Sequence, residues 1–156
     1  MVTYRKAAIS DIDILIKIRL DYFNEDRDSL SEAEKFAVAT QLKEYFPKHI
    51  GTDFIAHIAE TDNRLVASAF LVIAEIPANP AFITGKTGTI LNVFTYPEYR
   101  KKGVATQLLK CIIEESKTLN LSYLELSATE SGKPLYEKLG FQTKNSKYTE
   151  MKLQLI

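Results

Sequence analysis

The stretch "TILNVFTYPEYRKKGVATQLL", residues 89–109, decides how the rest of the chain reads. Six of its first seven residues, all but Asn92, are apolar or β-branched and predict a strand. A proline turn and three consecutive cations follow, then Gly103, and from there apolar residues recur at Val104, Leu108, Leu109, Ile112, Ile113 and Leu119, the period of an amphipathic helix. A strand running through a tight glycine turn into a helix leaves backbone N–H groups unpaired, with the positive end of the helix dipole behind them. That is a place for a phosphate. Gly103 admits a bulky anion to the backbone, Ala105 keeps the first helical turn clear, and Arg100, Lys101 and Lys102 supply charge. A solvated basic turn is the plain alternative.

Outward from this stretch the chain divides into recognisable elements. "VTYRKAA" predicts a short strand, and "SDIDILIKIRLDYF" a helix opened by Ser10 and Asp13 at capping-box spacing. A second box, Ser31 with Glu34, opens "SEAEKFAVATQLKEYF", which ends near Pro47. "DFIAHIAE" and "RLVASAFLVIAEI" are strands joined by a "TDN" hairpin turn, the second apolar enough to be central. After the long helix come a strand in "LSYLELSA", a short helix in "SGKPLYEKLG" and a closing strand in "YTEMKLQLI", where Met151, Leu153 and Leu155 alternate with polar residues. The element order predicts an α/β protein, a single domain over 1–156.

Composition narrows the function. Lys+Arg and Asp+Glu each number 20 in 156 residues, so the net charge is zero and no general attraction to nucleic acid or membrane surface is expected. The greasiest segment, "LVASAFLVIA", is far short of a membrane span, and no signal-type apolar run opens the chain, which reads as cytoplasmic. Cys111 is the only cysteine, and His49 and His57 lack ligand spacing, so no metal is expected. The "GKT" at residues 85–87 is not the end of a P-loop: Pro80 stands five before Gly85 and a strand follows. There is no GxGxxG.

Taken with "ATESGKPLYEKLGF", residues 128–141, the opening stretch resembles the GNAT superfamily of acetyl-CoA-dependent N-acetyltransferases, most closely over residues 89–141. The resemblance implies a mixed, mostly antiparallel sheet of about six to seven strands flanked by about four helices. It implies that Val93, Phe94 and Thr95 lend backbone to the pantetheine arm of acetyl-CoA. It maps the pyrophosphate onto the turn made by Arg100, Lys101, Lys102, Gly103, Val104, Ala105 and Thr106, and it makes Tyr136 the acid that protonates the departing thiolate. A phenol and a thiol differ by only about one to two pKa units, so that transfer is chemically reasonable. The other reading of Tyr136 is a packed aromatic on a short helix.

Relatives often carry asparagine and alanine where this chain has Thr129 and Gly132, so Thr129 is expected to hydrogen-bond the cofactor with less reach. Some place a glutamate base on the strand before the turn, where this chain has Leu91 and Asn92. Glu75 is the remaining candidate base, although a charged strand end is more often simply solvated. The oxyanion is expected on backbone N–H groups near Phe94 and Thr95.

For the acceptor, an amine attacking directly in a ternary complex, the residues say less. Asp21, Glu25, Asp26, Asp28, Glu32 and Glu34 face only Arg27 in the segment that borders the acceptor site in the family, a field that would draw in a cationic amine, or else an ordinary set of capping acids. A homodimer paired through the last strand is also open. The competing functions are a non-catalytic acyl-CoA-binding module and, with less behind it, a nucleic-acid binder using the basic turn.

Overall fold

The computed structural model describes residues 1–156, in two compact units, Met1–Leu126 and Ser127–Ile156. The first holds β1 (Thr3–Lys6), α1 (Ile12–Asp26), α2 (Glu32–His49), β2 (Phe54–Thr61), β3 (Arg64–Glu75), β4 (Lys86–Thr95), α3 (Val104–Thr118) and β5 (Leu124–Glu125). The second holds α4 (Lys133–Lys138), and residues 141–156 form neither helix nor strand.

The five strands make one sheet in chain order, antiparallel except for the last pair. The expected six to seven strands therefore overstate it. Met151, Leu153 and Leu155 alternate as a strand should, but they are 91%, 81% and 84% exposed. Alternation makes a strand only where a neighbour supplies a ladder and a core covers one face. Without a closing strand, the basis for pairing two copies through it goes as well.

Local chemistry explains the elements that do form. Ser31 caps α2: its hydroxyl accepts from the Glu34 amide at 3.1 Å and the Glu34 carboxylate accepts from the Ser31 amide at 2.8 Å. The Ser10–Asp13 box is not used. Asp11 takes that place, accepting from the Ala8 amide at 2.7 Å and from Arg5 at 2.8 and 3.0 Å, and Arg5 also grips Glu60. The β2–β3 turn puts Asp62 and Asn63 at φ 50° and 58°, the doubly left-handed turn that matches the twist of a hairpin.

Burial then fixes the layers. β3 is buried through its middle on both faces. On one face Phe70 meets Phe54 and Phe46 at ring-centroid distances of 5.2 and 6.2 Å, within a core that includes Leu15 and Ile18 of α1 and Leu42 of α2. On the other, α3 buries Leu108, Leu109 and Ile112 completely. Gly88 lies where β4 meets β5: a Cβ there would come within 2.7 Å of Leu124 and 2.8 Å of Leu71, so only glycine permits this packing.

Candidate functional site

Two irregularities of β4 shape the candidate site. The first is where its neighbour stops. β5 pairs only with Gly88 and Thr89, so residues 90–95 have β3 on one side and no strand on the other. The second is a bulge: the β3–β4 register shifts between Ser68 and Phe70, and Asn92 sits opposite at φ 53°. Asn92 is 4% exposed and held in place, its carbonyl accepting from Ser68 Oγ and its Nδ2 donating to the same oxygen, both at 3.1 Å.

The bulge decides which amides face the open edge. Because the Asn92 carbonyl points to Ser68, the N–H across the same trans peptide, that of Val93, points the other way. Further along, the Tyr96 amide donates to Val66 of β3, so by antiparallel alternation Phe94 faces β3 and Thr95 faces the open edge. Of the two amides expected for an oxyanion, that of Phe94 is thus committed to the ladder. Val93 and Thr95 have the free ones.

The strand runs through the 3-10 turn Pro97–Tyr99 into residues 100–106. Lys101 at φ 59° and Gly103 at φ 78° bend the backbone, and α3 starts at Val104. The first capping bond of α3 is from Gln107 N–H to Gly103 C=O, which leaves the amides of Val104, Ala105 and Thr106 without an acceptor in the helix. A Cβ at Gly103 would meet nothing within 4 Å, so the requirement there is conformational and the space above the turn is clear. Lys101 and Lys102 are exposed beside it, with the Lys102 ammonium 5.6 Å from the Tyr99 ring centre.

Arg100 is engaged elsewhere. Its Nε donates to the Thr95 carbonyl at 2.7 Å, its Nη2 reaches both carboxylate oxygens of Glu25 at 2.7 Å, and its guanidinium lies 5.7 Å from the Phe94 ring centre. Half of the acidic run is correspondingly tied up. Glu25 holds Arg100, Glu32 holds Lys35, and Asp21 accepts from the Tyr96 hydroxyl and from Lys17. Burial and the adjoining Asp21 carboxylate push the Tyr96 phenol above its ordinary value.

Facing the bulge from α1 is Arg19, a residue that the sequence reading passed over. Its guanidinium stacks 4.7 Å from the Phe23 ring centre and donates to Asn92 Oδ1 at 3.4 Å, with the Tyr22 and Tyr45 phenols close enough to act on its charge. Tyr22 in turn packs edge-on against Phe94, at 6.3 Å. Arg19 forms no ion pair with a carboxylate, and burial pushes its pKa down. Glu75 cannot join this group. It pairs with Lys86 while Leu71 pairs with Ile90 and Ala67 with Thr95, so four to eight residues of strand, ~13 to ~26 Å at 3.3 Å each, separate it from the residues of the open edge.

In the second unit, Thr129 Oγ1 accepts from the Gly132 amide at 3.1 Å and its carbonyl from the Lys133 amide at 3.0 Å, so it organises the entry to α4. Tyr136 is half-buried on α4, its ring edge-on to Phe141 at 5.9 Å.

The remaining features are structural. Cys111 is a free thiol at the margin of the buried face of α3. No group of three His, Cys, Asp or Glu is arranged to hold a metal, and no helix is long and apolar enough to cross a membrane.

Comparison with known proteins gives the family. The sequence profile of the acetyltransferase (GNAT) family matches residues 14–141. An N-alpha-acetyltransferase of Saccharolobus solfataricus is 31% identical over 149 residues, 90% of this chain and 80% of that protein. The uncharacterized N-acetyltransferase YafP of Escherichia coli is 34% identical over 106 residues, 67% of this chain and 66% of its own length, a little under two thirds. Among solved structures, a predicted acetyltransferase from Clostridium acetobutylicum with acetyl-CoA superimposes with a TM-score of 0.84 at 30% identity, covering 97% of this chain and 96% of that one. The chain belongs to the acetyltransferase (GNAT) family of acyl-transferring enzymes.

Proposed function

We propose that the protein is an N-acetyltransferase that moves the acetyl group of acetyl-CoA directly to a primary amine of a small molecule or a peptide, within a ternary complex. The observation that carries this reading is the open edge of β4 continuing into a turn of unpaired amides, a peptide-like groove followed by an anion cradle. The acetyl-CoA in the Clostridium acetobutylicum structure and the α-amine named for the Saccharolobus solfataricus protein support the donor and the type of acceptor. The matched residues, 14–141, run across both compact units, which supports reading 1–156 as one N-acetyltransferase domain.

In this reading the backbone of Val93 and Thr95 receives the pantetheine amides as a further strand would. The pyrophosphate lies against the amides that run from Lys101 to Thr106, with Lys101 and Lys102 neutralising it, while Arg100 fixes the groove's end through Thr95. The Val93 N–H polarises the thioester carbonyl and holds its oxygen as charge develops. Nitrogen attacks the carbonyl carbon, the C–N bond forms, the C–S bond breaks and nitrogen sheds its second proton to water, giving an amide and a thiolate. Tyr136 gives the thiolate a proton and recovers one from solvent, and Thr129 hydrogen-bonds the cofactor. With Leu91 and Asn92 where relatives carry a glutamate, the ammonium loses its proton to water before attack.

The test measures acetyl-CoA binding by calorimetry and CoA thiol release over a panel of amines. Binding with turnover on at least one amine is expected. Tight binding with no turnover on any amine would turn the reading to an acyl-CoA-binding module, and no binding would overturn both.

A further inference from the structure

Arginine is rarely left without an anion. Its guanidinium carries five N–H donors in a fork that fits a carboxylate, and taking it out of water without a partner is costly. Arg5 holds two carboxylates and Arg100 one. Arg27 and Arg64 are exposed, where water solvates the charge. Arg19, half-buried, has no carboxylate. Partly buried between α1 and the β4 bulge, it makes a single long hydrogen bond to a neutral amide oxygen and rests on the face of Phe23. The acids of α1 do not pair with it: Asp21 is taken by Lys17 and Tyr96, Glu25 by Arg100, and Asp26, close enough to act on the Tyr22 phenol, makes no ion pair with Arg19.

The position of this unpaired cation is what gives it meaning. Arg19 touches Asn92, and Asn92 precedes Val93, whose amide faces the open edge. Around it stand Tyr22, Phe23 and Tyr45, two phenols and an aromatic face, which suit an organic anion with an apolar body. One guanidinium balances one negative charge, and Lys17, the next cation on α1, is bound to Asp21, which favours a monoanion over a phosphate dianion. We propose that Arg19 binds the carboxylate of the acceptor, so that the substrate is an amine carrying its own carboxylate, an amino acid with an apolar side chain among the best of them. This rests on the acetyl-transfer reading, and it replaces the attraction of a cationic amine by the acidic run, half of whose charges are paired.

Such a substrate is oriented from one end. With the carboxylate on Arg19, an α-amine lies a few ångströms along β4, beside the Val93 amide where the thioester carbonyl is bound. Arg19 is then a specificity residue: it selects and orients the acceptor and takes no part in bond breaking.

The test uses matched amines differing only by the carboxylate: L-phenylalanine with phenethylamine, L-leucine with isoamylamine, and γ-aminobutyrate with propylamine. Phosphoethanolamine and putrescine serve as dianionic-headgroup and dicationic counterparts. The wild-type protein is expected to favour the carboxylate member of at least one pair by about 30-fold or more in kcat/KM. Arg19→Met should reduce that preference to near unity, mainly through KM, and Arg19→Lys should restore part of it. No preference in the wild type, a preference that survives Arg19→Met, or better use of phosphoethanolamine or putrescine would overturn the proposal.

If acetyl-CoA binds and no amine is acetylated, the transfer reading fails by itself. The carboxylate site is then decided by calorimetric titration of phenylacetate and N-acetyl-L-phenylalanine. Binding lost in Arg19→Met supports it, and binding absent from the wild type or equal in both proteins overturns it.

Discussion

Arg100 ties Glu25 to Thr95: one side chain bridges the end of α1 and the last carbonyl of β4, with contacts of 2.7 Å on each side. The pair is partly exposed, so its net contribution to stability is small, about 0–1 kcal/mol. Its larger effect is electrostatic, because Glu25 cancels a charge next to the proposed pyrophosphate cradle. Glu25→Gln should change stability by less than about 1 kcal/mol, lower the KM for acetyl-CoA some 2- to 5-fold, and steepen its dependence on salt. Steady-state kinetics at several ionic strengths, beside a urea titration, would check this, and an unchanged KM would remove Arg100 from donor binding.

Gly103 separates backbone conformation from steric room. At φ 78° a side chain is disfavoured although nothing stands within 4 Å of its Cβ, so Gly103→Ala should cost about 1–2 kcal/mol and lower Tm by a few degrees. The new methyl group would also occupy the approach to the amides of α3, and acetyl-CoA KM should rise about tenfold. Calorimetric melting and saturation kinetics read the two effects independently. A stability loss with unaltered KM would move the anion elsewhere.

Tyr136→Phe removes one oxygen and keeps the ring that packs on Phe141. The expected outcome is a fall in kcat of roughly 10²-fold with little change in acetyl-CoA KM, the size of a lost general acid. If kcat holds, the phenol serves packing and another group, or water, protonates the thiolate.

His57 gives the fold a pH dependence of its own. It is 6% exposed, its Nε2 has no partner, and burial holds its pKa below the ordinary imidazole value. Lys6, opposite it on β1, works in the same direction, while Glu115 opposes. As pH falls through the ordinary imidazole range the unfolded chain takes up a proton that the folded chain refuses, so stability falls with it, at a limiting slope of about 1.4 kcal/mol per pH unit. His57→Leu should flatten that slope between about pH 7 and pH 5. Denaturant titrations across the range would show it, and parallel slopes in the two proteins would exclude His57 as the source.

Much of this was legible in the sequence, and the failures have identifiable causes. Capping at Ser31, the "TDN" hairpin, the buried stripe of α3 and the turn at Gly103 are local events, decided within a few residues. The closing strand and the length of β5 depend on which distant segments offer a ladder, and an alternating pattern cannot report that. The same limit hid Arg19. An arginine on a helix reads as a solvated cation, and only the folded chain reveals that it faces a bulge with no carboxylate to meet it. Arg100 shows the converse, since three consecutive cations looked equivalent until one of them was found bound to Glu25.

The open edge of β4 also carries a hazard unrelated to catalysis. A strand with unpaired backbone groups is a template for a strand from another molecule, and between turnovers nothing of the substrate would cover residues 90–95. Here the edge ends at a carbonyl already occupied by a charged side chain, Arg100 on Thr95, and two exposed lysines follow at once. In the proposed reading these groups hinder pairing with a strand of another molecule while leaving the edge open to a thin, flexible donor arm. Resistance to aggregation and access for the donor would then rest on the same few residues, and variants that lighten the charge there should be watched for solubility as closely as for rate.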